Sequence, residues 1–399
     1  MKIIYITASL PYGATEVFAI PEMRELIRRG HELKILPVTR YAQGVHSDAE
    51  PFLALTEYET LLSRNVLRAA PSGFVRAPAR ATETLSRVLV GQRRGAVKKN
   101  LASFPKALWI AELARRWGAE HIHAYWASVA ATTAMIAGET TRVPWSFTAH
   151  RWDITMPNAF RAKLESARFV RFISQDGLEL AQPVAGPELD KKATLIRMGV
   201  PLSDRPLEKT EPPAGVQLRV ICTGSLIPRK GQRFLLEAVS RLKTQGVHVQ
   251  VSLAGDGETR EALAAQAQAL GIEDRVMFLG NVDHAALLDS YSEGRYDAFV
   301  LPSLHEGISI ALIEAMSRGL PAIATDVGGT RELLTEGAGQ LIPPEDVENL
   351  AAALSLLARN EPQRLKQGQA GRTRVRHDYD IEGVVDALEA HFQKFSRPI

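Results

Sequence analysis

Two glutamates, Glu306 and Glu314, stand eight positions apart where a short apolar run passes into a helical pattern. The run Asp297–Pro302 is typical of a buried strand, and Ile308–Arg318 predicts a helix. Glu306 then lies in the connecting loop, and Glu314 about two turns inside the helix. Carboxylates accept hydrogen bonds from hydroxyl groups, and a helix N-terminus offers unpaired N–H groups to an anion. This combination of acceptors and anion site points to a nucleotide-linked sugar.

A second junction of strand, glycine and cations precedes this one along the chain. Leu218–Gly224 reads as a strand, and Arg229 and Lys230 follow it before the predicted helix Gln232–Thr244. A pyrophosphate requires backbone N–H donors and a countercharge, which such a junction supplies. The alternative is that both cations are ordinary surface residues.

The glutamate pair together with Ala315–Thr325 resembles the E-x7-E signature of retaining glycosyltransferases of the family-four type. The resemblance is strong over Thr223–Leu334, moderate over His121–Ile173 and thin over Ser47–Lys106. It implies an α/β protein with the GT-B fold, in which two Rossmann-like domains face each other across a cleft. It also implies transfer of a sugar from a nucleotide diphosphate to a hydroxyl, with retention at the anomeric carbon. For the pair alone, a solvated helix face remains the alternative.

The resemblance assigns roles to individual residues of the second half. Glu306 matches the glutamate near the transferred sugar, Glu314 the one that bonds the ribose, and Lys230 a lysine on the diphosphate. Ser225 stands where family members commonly carry an arginine, so Arg229 or a first-domain residue supplies the second charge, or the diphosphate binds more weakly. With Ser225 and Arg229, the other donor-binding residues implied are Gly13, Gly224, Asn281, Val282, Gly307, Ile308, Ser309 and Ile310, with the base near Asn281 and Val282.

In the first half, polar residues follow the predicted strands Lys2–Thr7 and Trp145–Thr148. Gly13 lies in a loop, Ser9–Glu16, that resembles the family's first loop, where a glycine admits the donor diphosphate. His150 sits at a strand end, where open α/β sheets bind ligands, and it matches a histidine that contacts the transferred sugar. We therefore predict Glu306, His150 and Lys230 as catalytic residues.

Two acids in the first half are candidates for acceptor binding. Glu16 either orients the acceptor or stabilises the start of a helix through its dipole. Asp153 orients either an acceptor hydroxyl or His150. The sequence does not decide between these roles.

The net charge of +3 is small, but its distribution is uneven. Between residues 61 and 120, twelve basic residues face three acidic ones. Such a stripe, over residues 64–116, could contact anionic lipid headgroups or a phosphorylated lipid acceptor; a solvated helical surface is the alternative. Nucleic acid is disfavoured because no aromatic residues are interleaved with the charge.

Composition indicates a cytoplasmic protein, with a peripheral position at the inner face of a membrane left open. No apolar run reaches the roughly 18 residues of a membrane span, and the single cysteine, Cys222, excludes an internal disulfide. The one D-x-D sequence, Asp378–Asp380, precedes the last predicted helix and is better explained by helix capping than by metal binding. We expect neither metal nor cofactor, and we interpret His121 and His123 as structural or cleft-lining residues.

Alternating strand and helix patterns predict two domains of similar construction. The polar, proline-containing segment 207–215 is typical of a linker. We predict an acceptor-binding domain over residues 1–200, completed by the C-terminal helix 381–399, and a donor-binding domain over residues 201–380.

Three other functions remain open at this stage. A sugar-nucleotide epimerase or a phosphorylase would use the same fold. A non-catalytic sugar-nucleotide-binding partner subunit is conceivable because Ser225 replaces the usual arginine.

Overall fold

Two separate parallel sheets of six strands organise the chain. The computed structural model describes residues 1–13, 16–40, 44–61, 63–205, 207–208 and 210–396. It divides into a first unit, Met1–Gly199 with Ile381–Ile399, and a second unit, Val200–Asp380. The predicted α/β class with two Rossmann-like domains is confirmed.

The first sheet has the strand order β2-β1-β3-β4-β5-β6, and every pairing in it is parallel. Strands β3, β4 and β5 are buried throughout, as expected for a parallel sheet with both faces covered by helices. The strands are β1 Lys2–Thr7, β2 Glu32–Pro37, β3 His121–Ala124, β4 Trp145–Ala149, β5 Val170–Phe172 and β6 Ala193–Leu195.

Among the described residues of the first unit, nine helices precede the linker. They are α1 Ile20–Arg28, α2 Arg64–Arg76, α3 Pro78–Leu89, α4 Arg94–Trp117, α5 Val129–Thr141, α6 Arg151–Thr155, α7 Phe160–Ser166, α8 Gln175–Ala185 and α9 Leu189–Lys192. Short 3-10 helices occupy Val17–Ala19 and Ser47–Leu55. The range Ser47–Lys106, where the resemblance is thin, thus contains α2, α3 and the first half of α4.

The second sheet has the order β12-β11-β10-β7-β8-β9, again with parallel pairings. Its strands are β7 Leu218–Thr223, β8 Val249–Ala254, β9 Val276–Gly280, β10 Ala298–Leu301, β11 Ala322–Thr325 and β12 Gly339–Ile342. Its helices are α10 Gln232–Thr244, α11 Arg260–Ala269, α12 His284–Ser292, α13 Ile310–Ser317, α14 Thr330–Leu333, α15 Val347–Arg359 and α16 Glu361–Asp378, with 3-10 helices at Pro228–Lys230 and Glu273–Arg275. Lys209, in the predicted linker, lies outside the described residues.

Each sheet reverses its strand order at one point, and open α/β sheets bind ligands outside the strand ends at such a point. In the first sheet the reversal lies between β1 and β3, and in the second between β7 and β10. The loops that follow these four strands are therefore the natural places to look for function.

The last helix, α17 Ile381–Phe395, belongs to the first unit, as predicted. Its Phe392 ring packs among aromatic rings of the sheet, 6.4 Å from Tyr5 and 4.8 Å from His121 between centroids. Arg29 at the end of α1 binds Glu389 at 3.1 Å. Apolar packing and ion pairs together fix α17 on the first unit.

The structure differs from the predictions mainly at short elements. Strands β6 and β12 were not predicted, because each is only half-buried over most of its length. The helical segment after β1 begins as a 3-10 turn over Val17–Ala19 and becomes α-helical at Ile20. Cys222 is buried, and burial raises its pKa to about 12, so the thiol is inert.

Candidate functional site

The loops after β7 and β10 of the second unit meet at the reversal point of its sheet. The ammonium Nζ of Lys230 lies 2.6 Å from Oε1 of Glu306. The hydroxyl of Ser303 donates to the same oxygen at 2.6 Å. Within the described residues, Oε2 of Glu306 accepts no hydrogen bond, so it remains available to a ligand. We call Lys230, Ser303 and Glu306 the charged cluster.

Glycine allows the two loops to approach this closely. Gly231 has φ +66°, and a Cβ there would lie 2.0 Å from the carbonyl oxygen of Pro302. The Leu304 N–H donates to the Arg229 carbonyl at 2.8 Å, which joins the loops through their backbones. On the other side, a Cβ at Gly328 would lie 2.1 Å from the Glu306 carbonyl. The charged cluster is therefore held by backbone contacts that larger residues would prevent.

The N-terminus of α13 follows the charged cluster directly. Ser309 is its N-cap and accepts from the Leu312 N–H at 3.3 Å. The predicted start at Ile308 is wrong, because Ser309 has an extended backbone and helical geometry begins at Ile310. Gly307, Ile308, Ser309 and Ile310 thus surround the helix start, where unpaired N–H groups favour an anion.

Glu314 is the fifth residue of α13, about one turn inside the helix rather than the two turns predicted. Its Oε1 lies 2.7 Å from Nε2 of His284. The sequence analysis missed His284, although it is the first residue of α12 and directly follows the Asp283 N-cap. Its position just after Asn281 and Val282 was the available signal. His284 holds one oxygen of Glu314 and thereby fixes the orientation of the carboxylate.

The remaining donor-binding candidates lie on loops at the same edge of the sheet. Gly224 follows β7 with φ +141°, and Ser225 is exposed, with its carbonyl bound by the Gln232 amide at 3.1 Å. Asn281 and Val282 follow β9 and are exposed. Arg229 is exposed and makes no ion pair in the part of the chain that is described. These positions agree with a ligand-binding edge, and the individual contacts stay predictions.

In the first unit, His150 directly follows β4 and is the N-cap of α6. Its ring stacks on Trp126 with a centroid distance of 4.2 Å, and its Nε2 lies 3.1 Å from the Tyr125 carbonyl. Burial lowers the pKa of His150 to about 3, so the imidazole is neutral. A carbonyl accepts, so Nε2 carries the proton and Nδ1 is left as the acceptor.

Asp153 and Lys163 hold the turn that carries Trp126. Oδ2 of Asp153 accepts from the N–H groups of Ala127 at 3.0 Å and His150 at 3.2 Å. Lys163 donates to the carbonyl of Ala127 at 2.8 Å. Burial raises the pKa of Asp153 to about 6 and lowers that of Lys163 to about 7. Of the two roles left open for Asp153, the observed contacts support the orientation of His150.

Glu16 lies at the reversal point of the first sheet. Its carboxylate accepts from the backbone N–H groups of Ala8 and Leu10, both at 2.9 Å, and from Nε1 of Trp126 at 2.7 Å. It therefore shapes the loop after β1, and contact with an acceptor stays a prediction. Gly13 has φ +80° and donates to the Gly44 carbonyl at 2.8 Å; Ala14 and Thr15 of the same loop lie outside the described residues.

The other polar candidates are structural. His123 contacts the hydroxyls of Ser146 and Thr148 at 2.8 and 2.9 Å, and burial lowers its pKa. Asp378 pairs with Arg374 at 3.0 Å near the end of α16. Across the described ranges, no group of three or more His, Cys, Asp or Glu side chains is arranged to hold a metal ion. None of the helices described is long and apolar enough to span a membrane.

The matches to known protein sequences are clearest in the second half of the chain. The family model described as glycosyl transferases group 1 matches residues 206–374. The chain is similar to a glycogen synthase of Mycobacterium tuberculosis, with 30% identity over 203 residues that cover 51% of this chain and 48% of that protein. It is also similar to the putative colanic acid biosynthesis glycosyltransferase WcaL of Salmonella typhimurium, with 30% identity over 214 residues and 51% of each chain covered. The chain spans about half the length of the curated relatives it matches.

Solved structures match over almost the whole chain. Anabaena Alr3699/HepE in complex with UDP has a TM-score of 0.72 at 18% identity, covering 99% of this chain and 100% of that one. The apo form of the lipopolysaccharide outer core galactosyltransferase WaaB has a TM-score of 0.70 at 16% identity, with the same coverage. At this level of identity the likeness shows the fold alone, and it confirms the predicted GT-B fold.

Proposed function

We propose, from the premise that residues 206–374 belong to the glycosyl transferases group 1 family, that the protein transfers a sugar from a nucleotide diphosphate sugar to an acceptor hydroxyl. The proposal includes retention of the anomeric configuration and independence of metal ions. The acceptor is a saccharide, a lipid-linked saccharide or a small molecule.

The observation that carries the proposal is the charged cluster beside the start of α13. A nucleotide sugar combines a dianionic pyrophosphate with a ring of hydroxyl groups. Lys230 and the N–H groups at the start of α13 supply positive charge for the pyrophosphate. Oε2 of Glu306 supplies a hydrogen-bond acceptor for the sugar hydroxyls. One loop pair thus offers both kinds of recognition at the sheet edge where such folds bind ligands.

The nucleoside half of the donor has its own candidates. Glu314 would accept the ribose hydroxyls through Oε2, while His284 holds Oε1 at 2.7 Å. The base would lie against the backbone near Asn281 and Val282. Gly224 and Gly307 would let the backbone approach the pyrophosphate.

Two groups in this unit would stabilise the charge that develops during the reaction. As the bond from the anomeric carbon to the diphosphate breaks, negative charge grows on the phosphate beside Lys230 and α13. Positive charge grows on the sugar, where the Glu306 carboxylate would stabilise it. The acceptor hydroxyl then attacks from the face that the diphosphate leaves, and its proton passes to the departing phosphate oxygen. Lys230 and the helix N-terminus supply countercharge, so the scheme requires no divalent ion.

In the first unit, the proposal assigns His150 to a hydroxyl group of the transferred sugar. Its ring is neutral and carries the proton on Nε2. Asp153, Lys163 and Trp126 would set the orientation of this ring.

The test is the release of nucleoside diphosphate from a panel of UDP-, GDP- and ADP-sugars, with and without candidate saccharide acceptors. We expect Glu306→Gln to lower turnover by about 10²–10³-fold. Glu273→Gln, at an exposed 3-10 helix away from the loops of the charged cluster, serves as the matched control and should retain wild-type turnover. NMR of the product would report the anomeric configuration, and EDTA should leave the rate unchanged.

Other outcomes would favour the alternatives. An epimerase would convert the nucleotide sugar without any acceptor, and a phosphorylase would require inorganic phosphate. A binding subunit would show thermal stabilisation by nucleoside diphosphates but no turnover. Full turnover of Glu306→Gln at saturating donor would refute the assigned site.

A further inference from the structure

Four large apolar side chains of the first unit are exposed to solvent. Val90 is 75% exposed, Met156 66%, Trp152 48% and Leu101 47%. Trp152 and Met156 are one helical turn apart on α6, which begins directly after His150; the Met156 N–H donates to the Trp152 carbonyl at 3.0 Å. Exposed apolar side chains grouped in this way mark interaction surfaces.

Hydrogen bonds join the segments that carry these side chains. Gln92, beside Val90, accepts from the Ala159 N–H at 2.8 Å. Asn100, beside Leu101, exchanges hydrogen bonds with Asn158 at 2.8 and 2.9 Å. The turn before α4, the first turns of α4 and the segment after α6 therefore form one continuous region.

Cations surround the apolar side chains. Arg93, Arg94, Lys98 and Lys99 are all exposed. Arg94, Lys98 and Leu101 are spaced i, i+4, i+7, so they share one stripe of α4. Over residues 84–111 and 152–164, the two segments that build this region, the one acidic residue is Asp153, and it is buried.

Other basic residues of the 64–116 stripe have different roles. Lys106 is buried and donates to the carbonyls of Pro37 and Val38 at 2.7 and 3.0 Å. Arg76 and Arg115 both contact Glu112, at 2.6 and 3.5 Å. Arg68 and Arg116 line a pocket together with Glu57, Glu59 and Glu112. The cations at the start of α4 differ from these because they lie beside exposed apolar side chains in a segment without acids.

We propose that this region docks onto a bilayer surface that contains anionic lipids. We call it the docking face and define it by Val90, Arg94, Lys98, Leu101, Trp152 and Met156. A bilayer interface offers headgroup charge to the cations and acyl chains to the apolar residues at the same depth, and tryptophan is favoured there. A protein partner would require acidic complementarity and a pocket for anchors, and nucleic acid would require several aromatic platforms.

The docking face extends the proposed function without depending on it. Trp152 lies two residues after His150, so a docked molecule would hold the loop of His150 close to the lipid surface. This position suits a lipid-linked acceptor, and this link to the acceptor rests on the proposed function. Membrane binding itself is measured without any turnover.

The experiment is co-sedimentation of the full chain with vesicles of phosphatidylcholine alone or with added phosphatidylglycerol. We expect wild type to bind only the vesicles that contain phosphatidylglycerol, and salt to weaken binding. Each cation near an anionic surface strengthens partitioning by about five-fold, so Arg94→Glu/Lys98→Glu should lower it by about 25-fold or more. Val90→Ser/Met156→Ser should lower it by about ten-fold or more through loss of apolar insertion.

The matched controls are exposed residues of the second unit: Arg359→Glu/Lys366→Glu for charge and Leu356→Ser/Leu365→Ser for apolar area. They should bind as wild type does, and all variants should keep the wild-type circular dichroism spectrum and Tm. Absence of wild-type binding to the anionic vesicles would overturn the proposal. Equal losses in the control and docking-face variants would overturn it as well, since they would show a non-specific charge effect.

Discussion

The two units place their candidate residues at equivalent points of similar sheets. The candidates of the second unit are charged and paired, whereas burial shifts the pKa values of those in the first unit toward the neutral forms. In the second unit, Lys230 and Glu306 form an ion pair at 2.6 Å, and each candidate carboxylate keeps one oxygen available. In the first unit, burial drives the groups toward neutrality: His150 has a pKa of about 3, and Asp153 and Lys163 have pKa values of about 6 and 7.

The connections between loops differ in the same way. The loops after β7 and β10 touch through their backbones, at Gly231 and Pro302. The loops after β1 and β3 are joined by side chains, through the bond between Glu16 and Trp126 at 2.7 Å. The second unit therefore presents charge on a rigid backbone frame, which suits an anionic donor. The first presents an aromatic surface that includes the neutral ring of His150, and the shape of this surface depends on buried side chains.

The largest expected effect tests the charge of the second unit. Lys230→Met should lower turnover by about 10²–10³-fold, because the leaving diphosphate loses its cation. It should also lower the free energy of unfolding by about 1–3 kcal/mol, because the buried Glu306 carboxylate loses its partner. Turnover assays and urea unfolding measure the two effects.

The double variant Lys230→Met/Glu306→Gln separates the two effects. It should recover most of the lost stability, since no buried charge remains, while turnover stays low. If Lys230→Met alone kept both stability and turnover, the contrast between a charged and a neutral unit would lose its main support.

The second prediction tests the backbone frame. Gly231→Ala should lower the free energy of unfolding by about 3 kcal/mol or more. The reason is that the alanine Cβ would lie 2.0 Å from the Pro302 carbonyl oxygen. Gly246→Ala is the control: it has a similar φ of +72° but open space around it, so only the left-handed backbone disfavours alanine, by about 1 kcal/mol. Thermal unfolding of both variants gives the difference. Equal shifts in Tm would show that the close approach of the loops is unimportant.

The sequence predicted the residues of the second unit better than their surroundings. Lys230 and Glu306 follow β7 and β10, two largely apolar and buried strands whose ends are easy to locate, and the pattern therefore placed them correctly in their loops. The pairing of these residues joins distant segments: Lys230 reaches Glu306 from another loop, and His284 reaches Glu314 from another helix. Local spacing carries no information about such contacts.

The first unit was harder to predict because its candidate residues act through buried networks. Glu16 looked equally suited to an acceptor or a helix start, and only the tertiary structure shows four N–H donors converging on it. Strands β6 and β12 were missed for a related reason. Their residues are mostly half-buried at sheet edges, so the sequence shows no apolar run there.

The third prediction tests the neutrality of the first unit. Burial raises the pKa of Asp153 to about 6, above roughly 3.9 in an unfolded chain. The folded state therefore binds this proton more tightly, and stability should fall as the pH rises from about 4 to about 6, by about 1–3 kcal/mol. Lys163 acts in the opposite sense, since its pKa is lowered to about 7, and stability should recover as the pH rises above about 7.

Asp153→Asn should remove the fall in the free energy of unfolding between about pH 4 and pH 6. The asparagine retains one acceptor oxygen for the backbone N–H groups. The measurement is urea unfolding at several pH values, taken as the difference between wild type and variant so that other carboxylates cancel. An unchanged difference across this range would mean that Asp153 titrates normally and that the first unit is not neutral in the way described.

The smallest expected effect concerns His284. This residue sharpens the comparison because it orients the Glu314 carboxylate without taking part in the chemical step. Its Nε2 fixes Oε1 of Glu314 at 2.7 Å and leaves Oε2 for the ribose. His284→Ala should therefore raise the donor KM by about ten-fold with little change in kcat, as expected when ground-state binding alone is lost. His284→Gln retains a donor group and should recover part of the affinity. Because Glu314 would hold the ribose hydroxyls, the discrimination between a nucleoside diphosphate and its deoxyribose analogue should shrink in His284→Ala and return in His284→Gln. A loss of kcat with an unchanged KM would instead place His284 in the chemical step, and the charged unit would then do more than bind the donor.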